Sequence, residues 1–74
     1  MATEEQAREV KRRHSAGLLQ QPGVSGVGVE RDEHGSYFIA IHLADPGAAS
    51  GLPTELDGCT VRFIDSGAFR KLKN

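Results

Sequence analysis

Hydrophobic and polar residues alternate on both sides of one short polar segment near the middle of this 74-residue chain. The segment ends in Gly35. The apolar members of the alternation are Val27, Val29, Tyr37, Ile39, Ile41 and Leu43. A period of two on both sides of a polar, glycine-ended loop predicts a β-hairpin. We therefore expect strands over about 24–30 and 36–43.

The N-terminal residues predict a helix over about 4–20. Thr3 and Gln6 have the spacing of a capping box, in which each side chain bonds the backbone amide of the other residue. Acidic residues follow at the positive end of the helix dipole, and basic residues lie farther along. The apolar stripe of this helix is thin, so docking on the sheet must stabilise it. Pro22 and Gly23 end the helix.

The segment 44–58 is long enough for a crossover between parallel strands. Within it, Asp45 followed by Pro46 is a favourable helix start, which predicts one short helical turn over 47–51. Residues 56–58 have the composition of a turn before the next strand.

Apolar alternation returns at 59–65 and predicts a third strand, with Cys59, Val61 and Phe63 on one face. A short fourth strand is expected over 68–72. These elements predict a two-layer α+β fold, in which the N-terminal helix packs on a three- or four-stranded mixed sheet. The element order is helix, strand, strand, short helix, strand. The whole chain, 1–74, is one small domain.

Charge, apolar runs and cysteine content argue against several kinds of partner, location and cross-link. Nine Lys and Arg residues stand against ten Asp and Glu, and a net charge of −1 does not favour a nucleic-acid or membrane-surface partner. No apolar run approaches the ~18 residues of a membrane span and no secretory signal opens the chain, so we expect a soluble cytoplasmic protein. The single cysteine excludes an internal disulfide, and a core of this size is marginally stable.

Gly26 and Gly28 share one face of the first predicted strand. Glycine inside a strand often marks a close approach by another element. We expect the N-terminal helix to pack across these two glycines. The alternative is that another chain or a ligand lies there.

An ordered series of glycine and apolar motifs covers about 22–72. It comprises Pro22-Gly23-Val24, Gly26-Val27-Gly28-Val29, Leu56-Asp57-Gly58, Val61-Arg62 and Gly67-Ala68-Phe69-Arg70. The series resembles a small bacterial α/β domain often found N-terminal to trypsin-like peptidase domains. That resemblance implies an α/β fold and brings no catalytic residues to this sequence, which contains no peptidase domain.

No combination of residues has the pattern of an active site. His14, His34 and His42 fall on a predicted helix, turn and strand, and no motif places a serine beside any of them. They also lack the short spacing of metal ligands. We expect Cys59 to be a small buried hydrophobe rather than a redox thiol. The sequence therefore predicts no enzyme, no metal and no cofactor, with a small redox or hydrolytic protein as a third hypothesis.

A basic cluster at 11–13 is the main argument for nucleic-acid binding. Such a cluster is usually a solvated helix face paired with glutamates, and Glu9 is available for that role. The alternative is a weak nucleic-acid-binding module, in which Arg8, Arg12 and Arg70 form a positive face. We do not expect nucleic acid as the partner, because few aromatic residues are free to stack on bases.

The sheet face away from the helix supplies the favoured functional hypothesis. Phe38 and His42 point away from the core-facing residues of the second strand, and Ile64 does the same on the third. One helix covers one face only, so we expect Phe38 and Ile64 to be exposed, and such a patch usually marks an interface. The prediction is a non-enzymatic protein-interaction or accessory domain, binding a partner or forming a dimer through Phe38, Ile64 and His42.

Overall fold

The computed structural model describes residues 2–65, which begin with a capped helix. Helix α1 spans Glu4–Leu19, one residue shorter than predicted. The Thr3 hydroxyl accepts from the Gln6 amide at 3.1 Å, and the Thr3 amide donates to the Gln6 side chain at 3.0 Å. This reciprocal capping box satisfies amides that the first helical turn cannot pair, and it confirms the predicted helix start.

A hairpin follows, formed by β1 (Val24–Arg31) and β2 (Tyr37–Leu43). The Gly35 amide donates to the Asp32 carbonyl, and the Asp32 amide donates to the Ser36 carbonyl at 2.8 Å. Gly35 has φ +86°, the left-handed conformation that closes a three-residue hairpin loop. The polar loop and its terminal glycine therefore act as the sequence predicted.

The chain then crosses over through a short 3₁₀ helix, Pro46–Gly51, whose start is capped by the Asp45 side chain. Strands β3 (Glu55–Leu56) and β4 (Cys59–Asp65) form a second hairpin. Asp57 and Gly58 turn it with φ of +49° and +85°, as a two-residue Asp-Gly turn requires. The predicted turn at 56–58 is thus confirmed at its last two residues. The predicted strand at 68–72 lies outside the described residues.

The four strands form one mixed sheet in the order β1-β2-β4-β3. β2 pairs with β4 in parallel, whereas the β1–β2 and β3–β4 pairs are antiparallel. The parallel pair requires the crossover predicted for 44–58. The prediction of an α+β fold, with the N-terminal helix on a three- or four-stranded mixed sheet, is confirmed, although the fourth strand among the described residues is β3.

The core lies between α1 and one face of the sheet. Its most deeply buried large side chains are Ile39 and Ile41, both 0% exposed. The other buried members of the cluster are Ala7, Val10, Leu18, Leu43, Cys59 and Val61. The narrow apolar stripe of α1 is enough to dock the helix on the sheet, because branched side chains of β1 and β2 fill the space beneath it.

The expectation that α1 packs across Gly26 and Gly28 is wrong. These glycines pair with His42 and Ala40 on the opposite face of the sheet from the core. A Cβ at Gly28 would meet no atom within 4 Å, and one at Gly26 would meet only His42. The core on the helix side instead includes contacts with Val27 and Val29, which are partly buried, because branched side chains offer more apolar area than glycine.

Candidate interaction surfaces

The face opposite the helix, called here the open face, carries the three residues predicted to form an interface. His42 and Ile64 are directly paired across β2 and β4 and are both half-buried. The His42 Nε2 lies 4.0 Å from the Glu30 carboxylate of β1. Phe38 is four residues from His42 along β2, so the structure brings two of the three residues together and sets the third apart.

The prediction that Phe38 is exposed is wrong. Its side chain is only 7% exposed, although no helix among residues 2–65 covers this face. The Arg62 guanidinium carbon lies 4.5 Å from the centre of the Phe38 ring. A cation over an aromatic face is attracted by the ring quadrupole, and the long arginine stem covers apolar surface. The Arg62 side chain of the neighbouring strand therefore contributes cover that the sequence pattern did not reveal.

Arg62 is itself held in place by the hairpin loop. Its guanidinium lies 3.7 Å from the Asp32 carboxylate. That carboxylate also accepts from the His34 amide at 2.8 Å and the Ser36 amide at 3.0 Å. Partial burial acts to raise the pKa of Asp32, but these amides, His34 and Arg62 outweigh it, so the pKa is lowered. Asp32 thus stays charged at neutral pH and positions Arg62 over Phe38.

β1 forms one edge of the sheet, and half of its backbone groups face away from β2. The Asp32 amide donates to the Ser36 carbonyl next to the loop. In an antiparallel pair, hydrogen-bonded residues alternate with non-bonded ones, so Glu30, Gly28 and Gly26 bond to β2 and the residues between them do not. The amides and carbonyls of Val27, Val29 and Arg31 therefore point outward. They have no hydrogen-bond partner among residues 2–65.

A groove of about 620 Å³ lies between α1 and this edge, and we call it the basic groove. Its lining residues are Arg8, Lys11, Arg12, Ser15 and Val29. No carboxylate of the described residues lines it. The sequence favoured a solvated helix face, with a positive face of Arg8, Arg12 and Arg70 as the alternative. The structure brings Arg8 and Arg12 together, and Arg70 lies outside the described residues. The spacing of positions 8, 11 and 12, at i, i+3 and i+4, was the signal that three cations share one side of the helix.

The other side of α1 meets the turn between β3 and β4. The Asp57 carboxylate lies 3.0 Å from His14 Nε2 and 3.3 Å from the Arg13 guanidinium. The hydrogen bond with His14 is the largest effect on Asp57 and lowers its pKa. Burial acts in the opposite direction, but the charges of His14 and Arg13 and the Arg13 hydrogen bond add to the lowering. These contacts join the second half of the helix to the second hairpin.

Cys59 is buried in the core, with 2% of its surface exposed, as the sequence predicted. Burial raises the pKa of its thiol, and the carboxylates of Asp57 and Glu55 raise it further. A thiol in this setting is a poor nucleophile at neutral pH. Within residues 2–65, no three His, Cys, Asp or Glu side chains come together as a metal site.

Comparisons with known proteins identify no relative of this chain. No protein-family model, curated protein or solved structure matches the chain. The resemblance to a peptidase-associated domain therefore stays a prediction. Over the described part of the chain, no helix has the length and apolar content needed to cross a bilayer.

Proposed function

We propose that this chain is a non-enzymatic protein-interaction module that binds an extended segment of its partner along β1. The observation that carries the proposal is the outward row of amides and carbonyls at Val27, Val29 and Arg31, which lack partners among the described residues. An exposed edge of this kind is a template for one more strand. Addition of a peptide strand to a sheet edge is a recurrent mode of recognition, in which main-chain bonds supply affinity.

The character of β1 supports this interpretation. It is eight residues long, whereas edge strands that avoid partners are usually short or interrupted by proline or inward-pointing charge. β1 has no proline, and its one irregularity lies near its start, between Val24 and Gly26. The central and last residues of the strand thus keep the regular geometry that an added strand needs.

The open face gives weaker support for binding. Arg62 lies over Phe38, and the only exposed large hydrophobic residue among residues 2–65 is Leu19, on the helix, at 49%. An interface that depends on apolar burial needs a larger patch. Association through His42 and Ile64 therefore stays a prediction, and an accessory role beside a peptidase rests on the sequence resemblance alone.

The test begins with selection of linear peptides from a displayed random library on the purified protein. We expect bound peptides to slow hydrogen exchange at the amides of Val27, Val29 and Arg31, because a new strand would use them as donors. We also expect Arg31→Pro to lose binding and Arg31→Ala to retain most of it. Proline removes an outward amide that β2 does not use, whereas alanine removes only the side chain.

Two results would contradict the proposal. One is selected peptides that bind without slowing exchange at the outward amides of β1 in the unaltered protein. The other is equal affinity for Arg31→Pro and Arg31→Ala, both with thermal transitions close to the parent. The exchange measurement needs no substitution, so it decides the question even if Arg31→Pro fails to fold.

A further inference from the structure

The basic groove runs beside the outward edge of β1, and this position indicates what partner the edge selects. Side chains of a strand alternate between the two faces of its sheet. In a strand added to β1, every second side chain would thus face the α1 side, where the groove cations lie. The remaining side chains would face the open side beyond Gly28, which has no side chain to meet them.

Part of the positive charge of the basic groove is not neutralised by the described residues and is available to such a partner. Lys11 makes no ion pair with any described residue. Arg8 is 2.7 Å from Glu4 and Arg12 is 2.6 Å from Glu9. The side chains of both arginines are more than two-thirds exposed, at 71% and 75%, so these surface pairs are weak and leave other guanidinium donors free.

We propose that the β1 edge binds an extended segment of a partner protein that carries Asp or Glu at alternate positions, with those carboxylates facing Arg8, Lys11 and Arg12. This proposal rests on the strand-addition function proposed above and names its substrate class. The main chain of the segment pairs with β1, and the alternate carboxylates supply the charge complementarity that fixes its register.

A second copy of the chain is a poorer occupant of the same edge. Two β1 strands paired antiparallel about a twofold axis would place both helices on one side of the joined sheet. The two basic grooves would then face each other, and like charges in close contact oppose association. A nucleic acid is also less suited, because no aromatic side chain of the described residues lines the groove for stacking.

Three synthetic peptides test the proposal. Their common sequence is Thr-X-Val-X-Val-X-Thr with capped ends, and X is Glu, Gln or Lys. We expect the Glu peptide to bind about tenfold more tightly than the Gln peptide, as three exposed ion pairs allow, and the Lys peptide to bind more weakly still. The advantage of Glu should shrink as salt rises from about 20 to 300 mM.

Variants of the protein locate the effect. Changing Arg8, Lys11 and Arg12 together to Gln should remove the preference, so that this variant binds the Glu and Gln peptides with equal affinity. The matched control is Arg13→Gln, a cation on the same helix that faces Asp57 rather than the groove. It should keep the full preference.

The outcomes separate the two proposals. Equal binding of the Glu and Gln peptides, with slowed exchange at the β1 amides, overturns the acidic preference and leaves strand addition standing. A Glu preference without slowed exchange contradicts both. Tighter binding of a labelled single-stranded oligonucleotide than of the Glu peptide at about 150 mM salt would assign the groove to nucleic acid instead. Dimerisation that Lys11→Glu strengthens would assign the edge to a second copy.

Discussion

Arg62 of β4 contacts two groups of the first hairpin, the Asp32 carboxylate and the Phe38 ring, which precede it by a long stretch of sequence. Period-two alternation correctly placed Phe38 on the face away from the helix. It could not indicate that the neighbouring strand sends a long cationic side chain over the ring, because that contact depends on which strand pairs with β2. Burial on a sheet face is therefore set by strand order as well as by the strand's own pattern.

Phe38→Ser is expected to lower the free energy of unfolding by about 2–4 kcal/mol, because it replaces a buried ring by a small polar group. Urea unfolding followed by circular dichroism measures the change. Thr60→Ser, at an exposed position of β4, is the control and should be nearly neutral. Parent-like stability of Phe38→Ser would mean that the ring is accessible in solution, as the sequence pattern predicts.

Ile41→Ala tests the core itself. Ile41 is fully buried, and truncation of such a side chain costs about 2–5 kcal/mol. A single core of this size rarely supplies more than about 3–5 kcal/mol, so the variant should be largely unfolded at room temperature. Thermal melting by circular dichroism should show this, whereas Leu19→Ala, at a position 49% exposed, should melt close to the parent. A melting point within about two degrees of the parent for Ile41→Ala would remove Ile41 from the core.

At the scale of elements, the sequence predicted every helix and strand of the described residues except β3. Residues with strong local signals, such as the Thr3 cap and the Gly35 loop, gave boundaries within one residue. β3 is only two residues long, and its pairing is imposed by the Asp57-Gly58 turn rather than by its own pattern.

The basic groove could not be predicted as a site, because it is formed between α1 and β1. Helical spacing places Arg8, Lys11 and Arg12 on one side of the helix. The depth of the groove depends on how the helix docks, and that is decided by Val27 and Val29 rather than by the basic residues. The misplaced expectation for Gly26 and Gly28 has the same cause, because alternation separates two faces without saying which one the helix covers.

The same substitution, glycine to alanine, should have opposite effects on stability at two positions. Gly17 lies in α1, and a Cβ there would meet no atom within 4 Å, so Gly17→Ala should raise stability by about 0.5–1 kcal/mol. Gly23 has φ +86°, and a Cβ there would lie 2.7 Å from the Ala48 Cβ, so Gly23→Ala should lower stability by more than about 1 kcal/mol. Chemical unfolding of both variants checks the opposite signs. A neutral or stabilising Gly23→Ala would contradict the geometry at Gly23, and a destabilising Gly17→Ala would contradict the open space at Gly17.

The contact between α1 and the second hairpin should depend on pH. Because the pKa of Asp57 is lower in the folded state, mainly through His14, its contribution to stability is present above the unfolded value of ~3.9 and disappears as pH falls through the folded value. Asp57→Asn keeps a residue that favours the turn but removes the charge. The stability difference between parent and Asp57→Asn should therefore decline between about pH 5 and pH 2. A difference that stays constant over this range would show that the charge of Asp57 contributes nothing to stability. Replacing the main partner of Asp57, in His14→Gln, should make this pH dependence of stability weaker.

For the whole molecule, we expect the isolated chain to sediment as a monomer at about 100 μM. The described surface has little exposed apolar area for a stable dimer, and pairing of two β1 edges would bring like charges together. Analytical ultracentrifugation across a concentration series checks this. If the mass rises with concentration, Ile64→Ser tests whether the open face with His42 is responsible, as the sequence predicted.

The parallel pairing of β2 with β4 also sets an order of assembly in time. Each hairpin closes through a loop of two or three residues, an event of microseconds, whereas Ile39 meets Val61 only after the crossover has been ordered. Folding should therefore be limited by the docking of two preformed hairpins rather than by the formation of either. The β1 edge belongs to the hairpin that is synthesised first, so we expect a ribosome-bound chain to present it before β4 has been synthesised.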